Sequence, residues 1–105
     1  TANEPFLFYT GVGEEHYTGV MAWSLKGLIK ALRKVSVKSL EFHNKRRDLE
    51  KWAEKSLKDK KLAKQLKEIR LSRLKGEKLR KAIVRVVRKR FSELSKQVQL
   101  ATQYF

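Results

Sequence analysis

FLFYTGVGEEHYTGVMAWS, residues 6–24, is where the period of this chain changes, and that change decides the fold. Phe6–Thr10 and Tyr17–Met21 are aromatic and β-prone, and between them Gly11-Val12-Gly13-Glu14-Glu15 supplies the glycines of a tight reversal. Two short strands paired as a hairpin follow. A lone hairpin is marginal in water, so its aromatic face, Phe6, Phe8, Tyr9 and Tyr17, is expected to pack on what comes next. Gly11 and Gly13 read as turn glycines: the phosphate-loop fingerprint is incomplete, with no lysine or serine at the required place.

From Ser24 onward the period is helical. Ser24 caps a helix with Leu25, Leu28, Ile29 and Leu32 on one side; Ser36 caps a short second helix carrying Leu40 and Phe42. Asp48 opens a third, presenting Leu49, Trp52 and Ala53, and Asp59 a fourth, with Leu62, Ala63, Leu66 and Ile69. Each start has a Ser or Asp able to accept orphan backbone N–H groups. The last helix runs from Glu77 to about Gln99, with Leu79, Ile83, Val86, Val87, Phe91, Leu94 and Val98 as an apolar stripe. The expected fold is mainly α (α+β): an N-terminal β-hairpin packed on a compact bundle of short helices, then a long basic amphipathic C-terminal helix. Residues 1–69 are expected to form the hairpin and short-helix domain, and residues 70–105 a basic junction, the last helix and a tail.

Charge divides the chain in the same direction. All 26 lysines and arginines of the 105 residues follow Leu25, whereas three of the 11 acids, Glu4, Glu14 and Glu15, precede it. The density peaks between Arg70 and Lys96, where 11 bases meet only Glu77 and Glu93. A net charge of +15 repels itself in a compact state and exceeds what solubility requires. A polyanionic partner explains it, and nucleic acid is the first candidate. On the last helix Lys78, Lys81, Arg85, Arg88 and Lys89 recur at the helical step, with Lys96 further along and few acids placed to pair them. With Arg70, Arg73 and Lys75 of the junction, and a second patch at Lys45, Arg46 and Arg47, they are the expected RNA-binding residues. Lys and Arg grip phosphates without reading bases, so a sequence-specific DNA reader is not indicated.

Ala22-Trp23-Ser24-Leu25, Leu28, Leu32 and Val35, then Ser39-Leu40-Glu41-Phe42-His43, Arg47-Asp48-Leu49-Glu50-Lys51-Trp52 and Asp59 with Leu62-Ala63 form a recognisable run. Over roughly residues 6–69 it resembles a small uncharacterised domain of archaeal and bacterial proteins, a family of unknown function. The Phe-His pair and the Asp-Leu-x-x-Trp segment are its most specific parts. The chain departs from that family in being far more basic and in adding the helix after Gly76. In general character it also resembles the accessory ribosomal proteins of archaea.

Catalysis is not expected. His16 and His43 are the only histidines, and no carboxylate pair at useful spacing accompanies them. His16 falls in a turn, and His43 reads as a structural histidine hydrogen-bonded in the helical corner. With no cysteine and two histidines, disulfides, a metal site and a cofactor are not expected either. Apolar runs are broken by arginine and the start lacks a basic region before an apolar one, so a cytoplasmic protein with no membrane role is expected. The resulting expectation is a non-catalytic RNA-binding structural protein, ribosomal or ribosome-associated, with rRNA preferred over DNA and ribosomal proteins as neighbours. Two alternatives stay open: a non-specific DNA-binding chromatin protein, and an adaptor that pairs the last helix's apolar stripe with another chain. The uncharged tail from Gln97, ending Tyr104-Phe105, is a candidate anchor in a partner groove or on an exposed base.

Overall fold

Two residues, Trp23 and Ser24, separate the hairpin from the first helix, and Ser24 caps that helix. The Ser24 backbone is extended while its side chain accepts the Gly27 N–H at 3.1 Å. The computed structural model describes residues 1–103, and among them are two strands and five helices. In order these are β1 (Phe6–Tyr9), β2 (Tyr17–Ala22), α1 (Leu25–Lys34), α2 (Val37–Arg46), α3 (Asp48–Lys55), α4 (Lys60–Leu71) and α5 (Gly76–Gln103). Ser36 caps α2 through the Ser39 N–H, and Asp59 caps α4 through the Leu62 N–H at 3.0 Å. Asp48 behaves differently from the sequence expectation. Arg47, left-handed at φ 66, ends α2 and precedes α3, so Asp48 already lies inside the helix and its carboxylate turns back to His43.

β1 and β2 pair antiparallel, Phe6 opposite Ala22, Leu7 opposite Met21 and Tyr9 opposite Tyr17, with an irregularity between Leu7 and Tyr9. At that irregularity the Thr18 hydroxyl donates to the Phe8 carbonyl at 2.7 Å, satisfying an acceptor that a regular ladder would have paired. A 3₁₀ turn, Glu14–His16, closes the hairpin. Gly13 has φ 109, a backbone conformation that residues with a β-carbon rarely adopt, and this favours glycine in the turn.

Phe6 and Phe8 are buried as expected; Tyr9 and Tyr17 are half-buried, their rings 5.3 Å apart. The hairpin is fixed to α2 by two buried side chains. The Tyr9 N–H donates to His43 Nε2 at 2.8 Å, and the Ser39 hydroxyl donates to the Tyr9 carbonyl at 2.7 Å. The chain start is tied down too: Ala2 N–H donates to the Trp23 carbonyl, Asn3 N–H to that of Ser56, and the Trp52 indole N–H to that of Glu4.

The boundary expected at residue 69 is not a boundary of the core. Leu79, Ile83 and Val87 of α5 are fully buried in the same cluster as Phe8, Leu28, Leu32, Leu40 and Leu62. The charge break at Arg70 misled because composition changes there while burial continues. The apolar stripe is also shorter than its sequence pattern. Val86 and Leu94 are partly buried, but Phe91 is 37% exposed and Val98 66%, because α5 outruns the helices beneath it. The molecule measures 49 Å along its longest axis against 27 and 22 Å across.

Candidate nucleic-acid interface

On α5 the buried line Leu79–Ile83–Val87 fixes which way every other side chain faces. At about 100° per residue, Lys78, Lys81, Arg85, Arg88, Lys89 and Lys96 fall within an arc of about 100° opposite that line. All six are exposed. From Lys78 to Lys96 the arc extends about 27 Å along the helix axis, roughly the length of eight stacked nucleotide steps.

The acids that could neutralise this face are used elsewhere. Arg70 makes a bidentate pair with Glu50 at 2.6 and 3.3 Å. Arg90 donates to Asp59 at 2.8 Å, linking α5 to the carboxylate that caps α4. Arg80 takes Glu77 at 2.7 Å, and Lys61 takes Glu93 at 2.9 Å. Glu41 accepts the Gly76 N–H at 2.9 Å and so occupies the start of α5. Hydrogen bonding to these partners holds the Glu77 and Glu93 carboxyls below the usual range and raises the Arg70 and Arg90 guanidiniums above theirs. Among the described residues no carboxylate pairs with Arg73, Lys75, Lys78, Lys81, Arg85, Arg88, Lys89 or Lys96. The arginines of α5 thus divide by role in the fold: Arg80 and Arg90 hold it together, while among the described residues Arg85 and Arg88 have no carboxylate partner.

Two clefts gather the free bases. One, of about 510 Å³, lies between α1 and α5 and is lined by Arg33, Arg80, Lys81, Val84, Arg85 and Arg88, with no acid. Arg33 was not singled out from sequence; only the packing of α1 against α5 brings it there. Its floor is fixed by Arg80, whose guanidinium donates to the Leu32 and Val35 carbonyls, each at 2.6 Å, closing the C-terminal end of α1. The second cleft, of about 440 Å³, collects Lys45, Arg70, Arg73 and Lys75 with Glu41, Asn44, Leu74 and Leu79.

The structure therefore splits the expected patch at Lys45, Arg46 and Arg47. Successive residues at the end of a helix face different ways, and Lys45 joins the junction bases instead. Arg46 lies 4.8 Å over the Phe42 ring and 3.5 Å from Asp48. Arg47 is exposed at the α2–α3 corner. Arg70 is only 16% exposed and belongs to its pair with Glu50. Tyr104 and Phe105, the end of the expected anchor, lie outside the described residues; Gln97–Gln103 continue α5.

His43 occupies the position read from sequence as a structural corner. Its Nε2 accepts from the Tyr9 N–H, which assigns the proton to Nδ1, and Nδ1 donates to Asp48 Oδ2 at 2.8 Å. Phe6, Phe8 and Phe42 surround the ring at centroid distances of 4.8, 5.8 and 5.0 Å. Burial, outweighing the Asp48 contact, lowers its pKa from the ordinary value. His16 is exposed, its Nε2 3.7 Å from Glu15. Among the described residues no group of three metal-ligating side chains converges, and no helix is long and apolar enough to cross a membrane. No family model matches the chain, and no curated protein or solved structure matches it either.

Proposed function

We propose that this protein is a non-catalytic RNA-binding protein that holds phosphates along the outer arc of α5 and the α1–α5 cleft, as a component of a ribosome or ribosome-associated particle. The observation that carries the reading is the allocation of acids. Five carboxylates are committed to structural partners, while among the described residues the six bases on the outer arc of one helix are left without any. A face kept cationic for solubility alone would not need its charges aligned on one arc over a cleft without acids. Lysine and arginine on that arc favour phosphate positioning over base reading, which suits a structural rather than a regulatory nucleic-acid binder.

Co-sedimentation tests the particle and the polymer together. The protein is expected to travel with ribosomal subunits at low salt, to be released by RNase and to be retained after DNase. Loss on DNase alone would move the reading to chromatin, and indifference to both nucleases would move it to a protein partner. Reversal of Arg85 and Arg88 to glutamate should release the protein at moderate salt without unfolding it. Unchanged retention of that variant would show that another face makes the contact.

A further inference from the structure

The cationic cleft does not end at Arg88. That arginine also lines a second depression of about 410 Å³, where Ile29, Phe91, Ser92 and Ser95 form the remaining wall. α1 and α5 run antiparallel here: Arg80 sits at the C-terminal end of α1, and Ile29, earlier in α1, lies beside Phe91, later in α5. One seam therefore runs from a strongly basic end to an aromatic one with a hydroxyl-bearing rim. Phe91 follows Arg88 by three residues and is its neighbour on the helix surface.

We infer that the ligand of this seam is a single strand of nucleic acid, its phosphates held by Arg33, Lys81, Arg85 and Arg88 and one of its bases stacked on Phe91. The inference rests on the RNA-binding reading and narrows it. A duplex offers this face phosphates alone, since its base faces are covered by one another, and Phe91 would be idle against it. A single strand offers both phosphates and an uncovered π-face, and a base stacked beside an arginine is the combination such binders use. Phe91 differs from the other exposed apolar residues of α5, Val98 and Leu100, in having a flat ring next to an unpaired guanidinium.

Fluorescence anisotropy with the full chain, a labelled 12-nucleotide single-stranded RNA and the same RNA annealed to its complement tests this. Phe91→Leu keeps an apolar side chain against Ile29 but removes the stacking face. It should weaken the single strand at fixed salt by about five-fold or more, the lower end for loss of one stacked base. The log–log salt slope and duplex binding should stay as in the wild type, and Phe91→Trp should restore affinity. Unchanged single-strand binding by Phe91→Leu overturns the stack, and tighter wild-type binding of the duplex overturns the single-strand assignment. Wild-type binding that ignores salt would instead remove the phosphate-holding reading beneath both.

Discussion

Replacing Arg80 by methionine and, separately, Arg85 by methionine asks one helix to give two opposite answers. Arg80 donates to the carbonyls of Leu32 and Val35 at 2.6 Å each, at the negative end of the α1 dipole, and is only 17% exposed. Hydrogen bonds to a charged group contribute about 1.5 to 3 kcal/mol each when well sheltered, and partial exposure discounts these two to about 1 to 1.5 kcal/mol each. Losing both, which leaves the Leu32 and Val35 carbonyls orphaned, means that Arg80→Met should cost about 2 to 3 kcal/mol. For a chain of this size the unfolding entropy at Tm is about 0.22 kcal/mol per kelvin, so Tm should fall by about 9 to 14 °C. Arg85 is exposed and, among the described residues, has no carboxylate partner, so Arg85→Met should change stability by less than about 0.5 kcal/mol. The assay is thermal unfolding by circular dichroism, with RNA binding measured at 20 °C where both variants are folded. Arg80→Met should keep the salt dependence of the wild type, while Arg85→Met should lose one phosphate's share of it. Equal Tm shifts for the two variants, or an Arg80→Met that melts with the wild type, would refute the division into structural and binding arginines.

Three other outcomes follow from the geometry. Asp59→Ala removes both the α4 cap and the Arg90 partner of a largely buried pair, and should cost about 3 kcal/mol in urea unfolding; Asp59→Asn, which keeps a cap acceptor, should cost less. His43 has its pKa lowered by burial, so between the folded value and 6.5 the unfolded chain binds the extra proton. Stability should therefore be full above pH 6.5 and decline as pH falls from 6.5 through the lowered folded value, with Asp48 and Arg46 the charged groups beside the ring. The urea midpoint from pH 7.5 to 5 reads this, and a His43→Gln variant should flatten that part of the profile. Trp52→Phe keeps the ring contact with Phe6 but loses the bond to the Glu4 carbonyl, so it should cost about 1 kcal/mol and speed amide exchange at Ala2 and Asn3.

What the sequence made legible was local. Ser24, Ser36 and Asp59 cap the helices they were expected to cap because a cap lies within three residues of the N–H it satisfies. The buried face of α4, Leu62, Ala63, Leu66 and Ile69, follows from its period alone. The basic arc of α5 was legible for the same reason, and Arg80 and Arg90, off that arc, could be set apart by helical position. Their partners could not. The Leu32 and Val35 carbonyls lie 48 and 45 residues from Arg80, and nothing in a linear pattern marks a backbone acceptor as waiting. Arg33 was missed because its role exists only where α1 meets α5. The Asp48 cap failed because Arg47 turns the chain in one left-handed residue, a conformation that arginine rarely adopts and its neighbours do not announce. The continuation of the core past residue 69 was not legible because charge and burial change at different places.

If the unpaired bases on α5 and in the α1–α5 cleft hold phosphates, binding must weaken steeply as salt rises. Among the described residues seven bases here lack a carboxylate partner, the six of the arc and Arg33, and they should give log affinity against log salt a slope of about −5 on a single strand, or about −6 on a duplex. Anisotropy of labelled RNA between 50 and 200 mM KCl should then show a loss of about a thousand-fold. Arg85→Glu with Arg88→Glu should make that slope shallower. A wild-type slope near zero would mean that these bases do not hold phosphates.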